Sequence, residues 1–220
     1  MTLDTLLSLR RSVRGYRPEP LPETVLERVF SLAQQSPSNC NVQPWVTHLV
    51  SGDTLARLRE RLVTAALDNV TPEPDFNFWI KYQSIGRQRQ VEAGQALYAA
   101  MNIARDDRAG RDAAFRRNLA CFDAPHAVFL FMHQDYREPQ AVDIGIYAQT
   151  LMLALTAEGV ASCAQGALAL YSDIVRDTLG VSAEHRLLLG LSFGYEDTAV
   201  PANAARTTRA DWRSAVTCHA

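Results

Sequence analysis

Residues 141–159 read AVDIGIYAQTLMLALTAEG. Apolar side chains fall almost all round the helical wheel, so this is a buried central helix, and Gly159 stops it. A helix with no water-facing side needs layers around it. The runs HAVFLFMH (126–133) and HRLLLGLSFGYE (185–196) provide them. The first is a continuous apolar run of β-formers, as a central strand should be. The second reads as another central strand, and VASCAQGAL (160–168) begins as a short one.

Working outward, Leu3, Leu6 and Leu7 share one face of a short helix over residues 3–11. Val25, Leu26, Val29, Phe30 and Ala33 repeat at helical spacing, which predicts an amphipathic helix over 22–35 opened by Pro22. A strand over 46–50 and a helix over 53–68 follow. Residues 70–82, VTPEPDFNFWIKY, break the pattern with two prolines and four aromatics, and read as an exposed lid or flap. Polar helices are expected at 84–105 and 110–119, and a short helix near 172–179. The tail from residue 198 is basic and long enough to reach another part of the molecule. No repeat or flexible linker divides residues 1–220, so a single domain is expected, with 70–120 as an insertion and 198–220 as a C-terminal arm.

The 220 residues are 47% hydrophobic with a net charge of −2. That is enough apolar content for a sizeable core and gives no global footprint for nucleic acid. No apolar run is long enough for a membrane span, and the N-terminus lacks the pattern of a signal peptide. The chain is expected to be soluble and cytoplasmic. Its four cysteines are far apart with no zinc spacing, and read as free thiols in a reducing compartment. No metal site is expected.

Four stretches are dense in ligand-binding chemistry. RRSVR (10–14) sets three guanidinium forks and a hydroxyl after a helix, a donor set suited to phosphate; a solvated basic helix end is the plainer reading. SPSNCNVQPW (36–45) packs uncharged donors and acceptors between two prolines. A helix-to-strand turn explains one such side chain, and an amide-rich wall for a polar heterocycle explains more of them. CAQGA (163–167) offers a glycine for close backbone approach, or simply a turn at a strand end. RTTR (206–209) places two cations in the tail, against a reading as solvated charge. The templates GxGxxG, Walker loop and HExxH are absent.

In order and spacing these stretches, with FDAPHAVFLF, LLLGLSFGYED and PANAARTTRADW, resemble the FMN-dependent nitroreductase family, in particular its nitrobenzoate-type branch. The resemblance covers most of the chain and is weakest over 70–120. It implies an α+β sandwich with a central, mostly antiparallel sheet flanked by helices, in an arm-exchanged homodimer with FMN at the subunit interface. By position, Arg10, Arg11, Ser12 and Arg14 would hold the phosphate and ribityl chain, joined by Arg206 and Arg209. Pro37, Ser38, Asn39 and Asn41 would come from the partner subunit, and Gln165 and Gly166 would face the isoalloxazine, the Gln165 N–H near N5. The implied activity is ping-pong hydride transfer from NADH or NADPH through FMN to a small aromatic nitro compound, with the flavin and no dedicated side chain carrying the chemistry. Enone or quinone reduction, reductive dehalogenation, metabolite dehydrogenation and non-catalytic flavin binding are the alternatives on the same scaffold. If 76–93 caps the flavin, Phe76, Trp79 and Tyr82 would stack on the substrate ring, and Lys81 and Arg87 would pair with a carboxylate.

Overall fold

The computed structural model describes residues 1–77 and 80–219. Among these, strands β1 (Val46–Ser51), β2 (His126–His133), β3 (Ala161–Gln165) and β4 (His185–Gly194) form one antiparallel sheet in the order β1-β2-β4-β3. Strand β2 sits inside the sheet and is covered on both faces, which is why its sequence shows no polar alternation. Its side chains still alternate by face. Val128, Leu130 and Met132 enter one core cluster, and Ala127, Phe129 and Phe131 enter the other. Opposite the Leu130/Phe131 step, β4 carries one extra residue, a β-bulge at Leu188.

Helices α2 (Glu23–Ala33) and α6 (Glu138–Ala157) cover the first face. Trp45 stacks on Tyr147 of α6, ring centroids 4.8 Å apart. Helices α3 (Gly52–Leu67) and α7 (Ser172–Leu179) cover the other. Helix α6 starts three residues before the predicted Ala141, because Pro139 suits its first turn. Helices α1 (Leu3–Leu9), α4 (Ser84–Ala100) and α5 (Arg108–Leu119) complete the set. Helix α4 ends short of the expected residue 105, where Asn102 turns left-handed at φ 54°. Gly180 closes α7 the same way at φ 65°.

Residues 70–77, expected in an exposed lid, are a strap bound to the body. The Asp75 carboxylate, 14% exposed, pairs with Arg176 of α7 and accepts the Leu187 N–H at 2.6 Å. Its carbonyl accepts from Arg186 at 2.7 Å, and Ser172 donates to the Glu73 carbonyl. Asn77 and Ile80 are exposed. No described helix is long and apolar enough to cross a membrane, and no cluster of metal-ligating side chains occurs among the described residues.

Candidate functional site

After α1 the chain runs along the open edge of β3. Ser12 bridges Ser162 in parallel, the Val13 N–H donates to the Ser162 carbonyl at 3.1 Å, and Tyr16 bridges Glu196. This fixes the backbone of RRSVR on the sheet and turns its arginines outward. The segment after β4 returns alongside. The Arg17 N–H donates to the Tyr195 carbonyl, and the Asp197 N–H to that of Gly15. Gly15 is required here, because a Cβ would stand 2.5 Å from three atoms of the Val200 side chain.

Between these two segments, α4 and α6 lies a cleft of about 620 Å³. Its walls carry Arg10, Arg11, Ser12 and Arg14 from one chain end and Arg206 and Arg209 from the other, with Gln149 of α6, and no carboxylate among the described residues. The six residues expected at a phosphate site from both ends of the sequence therefore converge. One guanidinium is already paired with a carboxylate. Arg11 donates to Glu196 at 2.5 Å and to the Asn203 carbonyl at 3.1 Å, so it braces the wall and adds little net charge. Beneath the arginines lies Cys163. Burial pushes its thiol up, against the opposing pull of Arg14, the Ser12 hydroxyl and Arg10. Burial does the same, more strongly, to Tyr16, whose hydroxyl donates to the carbonyls of Val13 and Ser192.

Gln165, at the end of β3, is buried and locked. Its amide donates to the Asn118 carbonyl and side-chain oxygen at 2.8 and 2.7 Å, and its oxygen accepts from Ser192. Its side chain is thereby taken up, and neither Gln165 nor Gly166 lines the arginine cleft. Asn118 also lines a smaller apolar crevice beyond Arg14 and Leu97, between α4 and α5.

The polar loop at 36–45 lies outside the cleft of its own chain. Part of its chemistry is local. The Ser36 hydroxyl donates to the Ala33 carbonyl, Ser38 accepts the Gln43 N–H at 2.9 Å, and Gln34 links Gln43 to Trp45. Pro37, Asn39 and Asn41 remain exposed. Cys40, Asn41 and Gln43 all hold positive φ, between 49° and 57°. Three such non-glycine residues in one turn store strain that a plain connection has no need of.

The expected substrate residues fare unevenly. Phe76 packs on the core with the Arg186 guanidinium 4.0 Å from its ring centroid, so it faces inward and not toward the cleft. Lys81, Tyr82 and Arg87 are exposed, with Arg87 donating to Gln90, and none lines the described clefts. Trp79 lies outside the described residues. Arg89, two residues along α4, lines a neighbouring cleft with Glu92, Arg206 and Arg209. Sequence reasoning missed Asn203, Glu196, Asn118 and Gln149, single polar residues whose importance comes from what the fold sets beside them.

A sequence model of the nitroreductase family matches residues 7–195. The chain belongs to the nitroreductase family. It is 43% identical to the nitroreductase NfnB of Mycolicibacterium smegmatis over 208 residues, covering 94% of this chain and 88% of that protein. It is 29% identical to a 4-nitrobenzoate reductase of Pseudomonas putida, over 94% of this chain and 90% of that one. The crystal structure of the FMN-dependent nitroreductase NfnB from Mycobacterium smegmatis in complex with NADPH superposes with a TM-score of 0.95 at 40% identity, covering 99% of this chain and 97% of that one. This nitroreductase family member thus has the α+β architecture expected from its sequence.

Proposed function

We propose that the protein is an FMN-dependent NAD(P)H oxidoreductase that reduces nitroaromatic compounds, with two chains completing each site. The observation that carries the reading is the cleft where arginines from both chain ends meet, with Arg11 alone of them paired to a carboxylate among the described residues. A phosphomonoester dianion fits that donor set, because guanidinium forks match phosphate oxygens. Arg10, Ser12, Arg14, Arg206 and Arg209 would hold the phosphate, with Arg11 as their brace. The locked Gln165 side chain keeps the end of β3 rigid, so that the backbone of Gln165 and Gly166 can present a fixed edge to the ring. The chemistry supplied by bound flavin is two-electron transfer, in from NAD(P)H and out to the substrate in turn.

The homodimer is supported by apolar surface that one chain leaves open. Val142 and Ile146 on α6 are 63% and 39% exposed, and Leu3, Leu7 and Leu9 of α1 are more than half exposed. A partner on this surface would bring its Pro37, Ser38, Asn39 and Asn41 to the flavin. Trp79, Lys81, Tyr82 and Arg87 stay in the proposal as substrate contacts, and Phe76 leaves it. A nitroaromatic substrate, with NADPH as one reductant, is supported by the named activities of the relatives.

Fluorescence titration of the FMN-free protein with FMN and with riboflavin tests the reading. FMN should bind more tightly by at least about a hundredfold, the value of two charge-assisted hydrogen bonds to the phosphate. Arg14→Glu and Arg209→Glu should erase most of that difference. Equal affinities in the unaltered protein would remove the phosphate site.

A further inference from the structure

We propose that Asn203 is the positioning residue of this anion site, the clip that joins the arginines of the two chain ends before any ligand arrives. The inference rests on the FMN reading above. Asn203 is 4% exposed, in the short turn Pro201–Ala204. Its side-chain oxygen accepts the Arg14 N–H at 2.6 Å, from a residue 189 positions away. Its amide nitrogen donates to the carbonyls of Gly15 at 2.9 Å and Asp197 at 2.8 Å. Its own carbonyl accepts from the guanidinium of Arg11 at 3.1 Å and from that of Arg206 at 2.7 Å.

Two features separate this from an ordinary turn bond. First, three of the five partners belong to arginines on the cleft wall, one by its backbone and two by their guanidiniums. Second, the pattern demands a carboxamide. One side-chain acceptor and two side-chain donors are in use, and a carboxylate of the same shape would turn acceptors toward two carbonyls. Arginine loses substantial rotamer freedom when it is fixed on a ligand. Asn203 meets part of that cost during folding: its side chain holds the Arg14 backbone and fixes the turn whose main-chain carbonyl receives Arg206 and Arg11.

The test compares Asn203→Ala and Asn203→Asp with the unaltered chain, titrating FMN and riboflavin in parallel. The FMN Kd should rise about ten- to a hundredfold in both variants, the scale of lost charge-assisted contacts, while the riboflavin Kd stays within about twofold. An unchanged FMN Kd would overturn the proposal. So would equal losses for FMN and riboflavin, which would mark Asn203 as a general structural residue. A chain that never prefers FMN to riboflavin would instead defeat the parent reading. Should both variants fail to fold, the unaltered protein decides by amide hydrogen exchange at Arg14. Slow exchange in the FMN-free protein, little changed by FMN, is the expected result. Fast exchange that slows only on adding FMN would overturn a preformed clip.

Discussion

Removing the Asp75 carboxylate should release the strap that leads into the exposed 80–93 segment. Asp75 and Arg176 are 14% and 20% exposed, so water compensates little when one partner is lost. Asp75→Ala removes two charge-assisted hydrogen bonds, to Arg176 and to the Leu187 N–H, and leaves the Arg176 cation uncompensated. Such a loss costs about 3–5 kcal/mol. At about 2–4 °C per kcal/mol for a chain of this size, Tm should fall on the order of 10 °C. The assay is thermal unfolding at fixed FMN concentration for Asp75→Ala, Arg176→Ala and the double variant. The double variant should lose less than the sum of the singles, with a coupling of about 1–3 kcal/mol. A single-variant Tm within about 2 °C of the unaltered protein, or strict additivity, would show that the pair holds nothing and that the segment is a lid after all.

Gly15→Ala forces a Cβ into Val200, so chemical denaturation should show a loss of about 1–3 kcal/mol together with weaker FMN binding. Unchanged values for both would mean that the two chain ends part without cost. Ile146→Asp, with or without Val142→Asp, should give monomers by sedimentation that no longer retain FMN; monomers that still turn over would exclude a shared site. His126 accepts the Leu21 N–H at 2.8 Å, stacks on Phe193, and is held by burial below the ordinary histidine value of 6.5. Because only the unfolded chain takes up this proton near pH 6.5, the contribution is complete above that value. It is lost as the pH falls through the depressed folded value. Unfolding free energy should therefore decline below about pH 6.5, and less steeply in His126→Gln; matching slopes would assign the decline to other groups.

Much of this architecture was legible in the sequence because the sheet is covered on both faces. HAVFLFMH has a single stable placement, α6 packs on the sheet as its apolar stretch demands although Val142 and Ile146 stay exposed in one chain, and periodicity found the helices to within a few residues. The arginines at 10–14 and 206–209 were legible through sheer density of one chemistry. Asn203 and Asp75 were not. Each is one polar residue in a loop-like segment, and each acts through partners about 100 to 190 positions away. Phe76 misled for a related reason: an aromatic in a proline-rich stretch looks the same whether it caps a ligand or fills a core, and Arg186 decides it. The polar loop at 36–45 was half explained by local turn bonds, and its exposed half is what the proposed dimer would explain.

The most direct measurement is an anaerobic redox cycle on the FMN-loaded protein, followed by the flavin visible absorbance. One equivalent of NADPH or NADH should bleach the band, and a nitroarene such as 4-nitrobenzoate should then restore it with its own reduction. A band that neither nucleotide bleaches, or one that returns only on admitting oxygen whichever nitroarene is added, would contradict the account.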